Sequence, residues 1–169
     1  MDIEQVNQLS AAEFIEKLGG IFEDSTWVAE KAEKFRPFSS VQSLFSKMAE
    51  IVDQADEHEK LALIRNHPAL GARTKMTRFS QTEQQKAGLQ KLTDEEYDRL
   101  LKLNETYMEK FQFPFILAVR GKTKQEIFTS IKQRIKNNAE AEIEQAIAEI
   151  KKIAYYRLKD IVKEERNLC

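Results

Sequence analysis

Helix-start signals recur along this chain, and they constrain its fold more than any other feature. At five places that precede amphipathic stretches, a serine, threonine or aspartate stands three residues before a glutamate. At this spacing the first side chain caps a helix and the glutamate reaches back to the cap. The pairs are Ser10–Glu13, Asp56–Glu59, Ser80–Glu83, Thr93–Glu96 and Thr123–Glu126. Since the chain also has only 5 Gly and 3 Pro in 169 residues, we predict an all-α fold, a single compact domain of about eight helices.

Apolar residues at three- and four-residue spacing follow these signals and set the expected helices. They are predicted at 11–18, from Ser25 to Phe35, from Ser39 or Ser40, from Asp56 to about 66, from Ser80, from Thr93 to about 110, from Thr123 to about 137, and from 139 or 140 to about 164. The last is the longest. Residues 1–163 are expected to form the domain, and 164–169 a tail or the start of a linker.

Composition and charge narrow the classes of partner. The 27 basic and 28 acidic residues nearly cancel, so nucleic acid and anionic membranes are not expected partners. No apolar run reaches the roughly 18 residues of a membrane span, and the first ten residues lack the pattern of a signal peptide. The one cysteine, Cys169, leaves no disulfide within the chain and no cysteine cluster for zinc. We expect a soluble, cytoplasmic protein that binds a small molecule or another protein.

The unusual residues gather around His67. Pro68 must end the preceding helix near Asn66, and it restrains the histidine backbone. His67 is therefore either a structural residue or an acid–base group, because an imidazole titrates near neutrality. The loop that follows, 69–79, is either solvated or binds an anion, and the amides at 81–83 are expected at a helix start that can hold an anion. The other histidine, His58, lies in a first helical turn and is assigned no role.

Two distant features add to this stretch. The run 111–119 is the only continuous apolar one, and it contains Pro114. With no second strand to pair with, it is either a buried extended segment that presents its amides to a ligand or a helical turn that lines the core. Arg157 lies on the apolar stripe of the last helix, so it bridges a buried carboxylate, extends to the edge, or holds an anionic ligand.

Several kinds of catalytic site are missing from the sequence. His67 has no second His or Cys at ligand spacing, no G-x-S-x-G nucleophile motif is present, and no Gly-rich phosphate loop or dinucleotide fingerprint occurs. Cofactor-free acid–base chemistry through His67 and Glu83, with Arg157 as a binding group, remains. The competing class is a non-enzymatic helical interaction domain in which these residues cap turns and pack.

In combination, the motifs resemble the 2-oxo-4-hydroxy-4-carboxy-5-ureidoimidazoline (OHCU) decarboxylases over nearly the whole chain. The motifs are Ser25-x-Trp27, Arg36-Pro37-Phe38, His67-Pro68-x-Leu70-Gly71, Ser80-x-x-Glu83-Gln84-x-x-Ala87-Gly88-Leu89, Leu103-Asn104-x-x-Tyr107, Phe111-x-Phe113-Pro114-Phe115-Ile116, Val119-Arg120-Gly121 and Glu149-Ile150-x-x-Ile153-Ala154-x-x-Arg157-Leu158. Members often have an acidic residue where this chain has Ala69 and a glycine where it has Gln112. Neither difference removes a residue that we assign to chemistry.

The resemblance implies an all-helical homodimer that takes the product of urate oxidation and hydrolysis and decarboxylates it to (S)-allantoin, without metal or organic cofactor. Some members are fused to urate oxidase, so fusion to or cooperation with that enzyme is expected, with a linker after Lys163. By the family pattern, His67 is the catalytic proton donor, and Glu83 orients the substrate or the imidazole. The implied substrate-binding residues are Pro68, Ser80, Gln81, Thr82, Glu83, Gln84, Phe115, Ile116, Leu117, Ala118, Val119 and Arg157.

Overall fold

Helices account for all the regular secondary structure in the described part of the chain. The computed structural model describes residues 1–71 and 78–164, with only the backbone described at 78, 79, 81, 86 and 90. Over these residues the α-helices are α1 (Ile3–Gln8), α2 (Ala11–Leu18), α3 (Trp27–Ala32), α4 (Val41–Gln54), α5 (Glu57–Arg65), α6 (Arg78–Lys86), α7 (Asp94–Phe111), α8 (Lys124–Arg134) and α9 (Ala139–Ile161). Two 3₁₀ helices cover Glu33–Phe35 and Leu89–Lys91. The predicted all-α fold and the long last helix are confirmed.

Most of the predicted helix starts form through the expected hydrogen bonds. Ser10 and Thr93 make reciprocal capping boxes with the glutamates three residues on, at the starts of α2 and α7. Asp56 Oδ1 accepts from the amide of Glu59 at 2.8 Å before α5, and Thr123 accepts from the amide of Glu126 before α8. These bonds satisfy amides that have no partner within the helix, which is why the local sequence determines where the helices begin.

Three helix starts differ from the prediction. We did not predict α1, although Asp2 and Gln5 form a capping box there with glutamine in place of glutamate. The second helix does not begin at Ser25, because the Ser25 hydroxyl donates to the carbonyl of Glu23 instead, and α3 begins at Trp27 without a side-chain cap. The helix predicted from Ser80 begins two residues earlier, at Arg78.

The chain divides into two compact units, one made of 1–63 with the chain from 151 onward, the other of 64–150. In the first unit, α3 packs against α2 and α4, around a buried apolar core that includes Val6, Phe14, Leu18, Val28, Leu44, Met48 and Leu158. In the second, α7 packs against α8, and the buried residues include Leu100, Tyr107, Phe113, Phe115, Ile127, Ile131, Ala146 and Ile150. None of the helices in the described residues has the length and apolar character that crossing a bilayer requires.

Candidate active site

His67 lies just beyond the end of α5, in the second unit. The helix ends at Arg65, and the amide of His67 donates to the carbonyl of Ile64 at 3.1 Å, which closes the last turn. Pro68 has no amide to continue the helix, and its ring disfavours helical backbone at His67. His67 as a whole residue is only 6% exposed. The predicted helix exit is confirmed, and its histidine is buried.

Two side chains fix the backbone immediately after Pro68. The Asn104 side-chain amide, on α7, donates to the carbonyl of Leu70 at 2.9 Å. The amide of Gly71 donates to Gln84 Oε1, on α6, also at 2.9 Å. Gly71 has a φ of +72°, where a residue with a Cβ is strained. The His67-Pro68 stretch is therefore anchored to two helices through polar side chains.

The early start of α6 changes the role that we predicted for Ser80. Ser80 lies inside the helix instead of capping it, and Ser80 and Gln84 are both buried on one helical face, four residues apart. The amides of 82 and 83 then fall beyond the first four of the helix, so the predicted anion site at 81–83 is wrong for those two positions.

The remaining predicted residues of this region differ in exposure. Thr82 is exposed and Glu83 half-buried, whereas only the backbone of Gln81 and Arg78 is described. Arg73 and Lys75, from the basic loop, lie outside the described residues. The predicted anion-binding role of that loop therefore stays a prediction.

The segment after α7 is buried backbone that belongs to neither helix nor strand. Residues 113–119 are all buried and irregular, so the alternative of a helical turn is wrong. Gln112 ends α7 in the left-handed conformation with a φ of +64°. That conformation explains why glycine is frequent at this position among the proteins that the sequence resembles. The predicted binding residues from Phe115 to Val119 lie in this segment.

A buried polar network that we did not predict holds this segment. Arg134 Nη1, on α8, donates to the carbonyl of Ile116. Arg134 Nε lies 2.8 Å from Glu142 Oε1, on α9, and the Tyr107 hydroxyl donates to the same oxygen at 2.6 Å. Asn137 Nδ2 donates to Glu142 Oε2 at 2.9 Å. Burial, and then the hydrogen bond to Glu142, raise the pKa of Tyr107 well above its usual value, so its hydroxyl stays a donor.

The sequence contained a signal for this network. Arg134 lies three residues after Ile131, and Glu142 four residues before Ala146, so both charges fall on buried helical faces. Arg157 was singled out for the same reason, because it is a charged residue on an apolar helical face. A buried charge needs a partner, but the sequence does not show that Arg134 and Glu142 are partners.

Arg157 belongs to the first unit, where it pairs with a buried carboxylate. Its Nη2 lies 2.9 Å from Glu23 Oε2, and both side chains are 1% exposed. Nη1 also donates to the carbonyls of Gly20 and Ile21, each at 3.4 Å. Of the three alternatives for Arg157, the bridge to a buried carboxylate is therefore observed. Its role in substrate binding stays a prediction.

The second unit thus combines a buried imidazole on a restrained backbone with buried polar side chains on α6 and a buried segment without regular structure. An imidazole so placed can give a proton to a bound molecule, and backbone amides can bind its oxygens. Within 1–71 and 78–164, no group of three or more His, Cys, Asp or Glu side chains is arranged to hold a metal ion. That the reaction needs no cofactor stays a prediction.

Comparison with known proteins identifies the family. The family model described as OHCU decarboxylase matches residues 7–159. The chain belongs to the OHCU decarboxylase family. The resemblance inferred from the motifs is confirmed.

Some similar proteins match this chain over most of their length, and others over a third of it. The OHCU decarboxylase of Haloferax volcanii is 40% identical over 158 residues, which cover 94% of each chain. The uric acid degradation bifunctional protein of Bacillus sp. strain TB-90 is 55% identical over 167 residues, 99% of this chain. The chain spans only 33% of that protein's length. A crystal structure of (S)-allantoin synthase, 30% identical, superposes with a TM-score of 0.79 and matches 96% of this chain and 54% of that one.

Proposed function

We propose that this chain decarboxylates OHCU to (S)-allantoin in urate degradation, with His67 as the proton donor. The observation that carries the proposal is the buried His67 at the exit of α5, in a chain whose match to the OHCU decarboxylase family spans 7–159. Relatives that are named for this reaction or for uric acid degradation support it.

The reaction needs one proton delivered to one face. The bond between C4 and its carboxylate breaks, carbon dioxide leaves, and the electron pair forms a C4–C5 double bond while the electrons of the ring imine move onto its nitrogen. A proton from the His67 imidazolium then forms the new carbon–hydrogen bond at C5, the carbon that bears the ureido group. The C4 hydroxyl becomes the carbonyl of allantoin as its proton is lost and the ring nitrogen gains one, and the histidine is recharged from solvent. Because the histidine backbone is restrained by Pro68 and by the closing turn of α5, the proton comes from a fixed direction, as a single enantiomer requires. A positioned general acid contributes roughly 10² to 10⁴ in rate.

The other proposed site residues bind and orient the substrate. Glu83 orients the imidazole or holds the substrate hydroxyl, and Pro68 with the segment Ser80, Gln81, Thr82 and Gln84 lines the site. The amides between Phe115 and Val119 bind the ring and ureido oxygens. Arg157 is kept as a binding residue on the family pattern alone. Holding the substrate in one geometry lowers the entropic part of the barrier.

We further propose that the chain acts as a homodimer and works as part of, or together with, a urate-oxidising protein. The identity with the bifunctional relative, over a third of that protein's length, supports the link with urate degradation, whereas the homodimer rests on the family resemblance alone. Coupling the two activities would shorten the path of an unstable intermediate between them.

The test is conversion of freshly generated substrate, followed by circular dichroism of the allantoin formed. We expect faster formation of the (S) enantiomer with the protein than without it, and no effect of EDTA. A chain that folds but leaves the rate and chirality of the spontaneous reaction unchanged would refute the proposed function. Inhibition by EDTA that added metal reverses would refute its cofactor-free form.

A further inference from the structure

We propose that Arg134, held by Glu142, is a positioning residue that aims the amide of Leu117 at the substrate. The inference rests on the proposed function, because it concerns the backbone segment that would bind the substrate. Neither residue belongs to the set that the family pattern implies for the site.

Arg134 fixes the segment by a direct bond to its backbone. Its Nη1 donates to the carbonyl of Ile116, and its guanidinium group lies 4.5 Å from the centre of the Phe115 ring. The peptide unit is planar and trans, so the carbonyl of Ile116 and the amide of Leu117 point in opposite directions. Arg134 therefore sets the direction of the Leu117 amide, which faces away from the guanidinium group.

Glu142 in turn fixes Arg134. It is fully buried and accepts from three donors, which are Arg134 Nε, the Tyr107 hydroxyl and Asn137 Nδ2. The Tyr107 ring also contacts the rings of Phe113 and Phe115, with centroids 5.9 and 5.3 Å away. The carboxylate thus holds the guanidinium group through an ion pair, and the Phe115 ring lies close to the same group.

Stability alone is a poor explanation for this arrangement. A buried ion pair is often no more stabilising than apolar residues of the same volume, because both charges lose their hydration. Arg134 Nη2 is in addition buried with no hydrogen-bond partner among the described residues, and an unsatisfied buried donor is destabilising. What the pair does supply is a fixed bond to a segment that has no helix or strand to define its backbone.

The experiment replaces Arg134 and Glu142 by neutral residues. The effect on activity is compared with that of replacing another arginine–glutamate pair in the same way. In the double variant R134M/E142Q no charge is left buried alone, so folding is expected to survive. The matched control is R36M/E33Q in the first unit. Arg36 also pairs with a glutamate, at 3.0 Å, and also donates to backbone carbonyls, including Val6 at 3.3 Å.

For R134M/E142Q we expect kcat/KM to fall about 10- to 100-fold, since a misplacement near 1 Å has effects of that order. Most of the loss should be a higher KM, because the amide binds substrate and transition state alike. The control should stay within about twofold of wild type. The single variant Arg134→Lys keeps the charge beside Glu142 but offers one compact donor group, so we expect about a tenfold loss, again in KM.

The outcomes separate this inference from the proposed function. An inactive wild-type chain would refute the proposed function itself. An active wild type with an unchanged KM in either folded Arg134 variant would overturn the positioning role alone. So would an equal rise in KM in the Arg36 control. If R134M/E142Q does not fold, as judged by circular dichroism and Tm, Arg134→Lys decides the question.

Discussion

Gly71, four residues after His67, should be one of the positions least tolerant of a methyl group. A Cβ built there lies 2.7 Å from Leu100 Cδ2 and 3.8 Å from Leu92 Cδ1. Leu100 is only 1% exposed, so its methyl group has little room to retreat. The backbone at Gly71, with a φ of +72°, is also one that residues with a Cβ adopt at a penalty.

Gly71→Ala should lower the free energy of unfolding by about 1–5 kcal/mol. The left-handed backbone accounts for about 1–2 kcal/mol, and crowding a packed core for about 1–3 kcal/mol. The lower entropy of the unfolded alanine chain offsets about 0.4–1 kcal/mol of this. Because the amide of Gly71 bonds to Gln84, the same change should also reduce activity in protein that remains folded.

Gly121→Ala is the matched control. Gly121 has a φ of +77°, yet a Cβ there meets nothing within 4 Å. The backbone penalty of about 1–2 kcal/mol, less the same offset of about 0.4–1 kcal/mol, therefore applies without crowding. Urea unfolding followed by far-UV circular dichroism gives both free energies by linear extrapolation. If the two variants lost the same stability, the close packing of Gly71 against Leu100 would be refuted.

Two further predictions concern α7. The folded state raises the pKa of Tyr107, so the contribution of this residue to stability is present below the unfolded pKa near 10 and is lost as the pH rises above it. In urea titrations, Tyr107→Phe should therefore lower the free energy of unfolding by about 1 kcal/mol at pH 8 and make that free energy fall less steeply between pH 8 and 11. A fall as steep as that of the wild type would contradict this prediction. Gln112→Gly should raise the free energy of unfolding by about 0.5–1 kcal/mol, since glycine relieves the left-handed backbone at φ +64°, and a lower Tm in calorimetry would refute it.

The helix starts were predictable where a capping hydrogen bond joins residues three apart in the sequence. The start of α6 was not predicted correctly, and its buried residues depend on tertiary packing. Ser10 and Thr93 cap their helices because the bonds they make span three residues. Ser80 has the same spacing to a glutamate, yet it lies inside α6 and is buried on the same face as Gln84. Burial of that face depends on tertiary packing, which the local spacing of serine and glutamate does not show.

The site was predictable in part, and chiefly from the order of several motifs. His67 and the segment 113–119 stood out by residue type, and the structure places both in the second unit. The network of Arg134, Glu142 and Tyr107 was missed, because it joins three helices whose pairing the sequence does not state. Asn104 was noticed only as part of a motif, and its bond to Leu70 depends on how α7 packs.

The central claim, that His67 gives the proton, is tested most directly by His67→Asn beside His58→Asn. His58 is exposed and lies in the first turns of α5, so its replacement controls for the loss of a histidine. With fresh substrate, we expect His58→Asn to match wild type. His67→Asn should stay folded and lose about 10² to 10⁴ in the rate of (S)-allantoin formation. A folded His67→Asn variant that still makes (S)-allantoin at the wild-type rate would contradict the account.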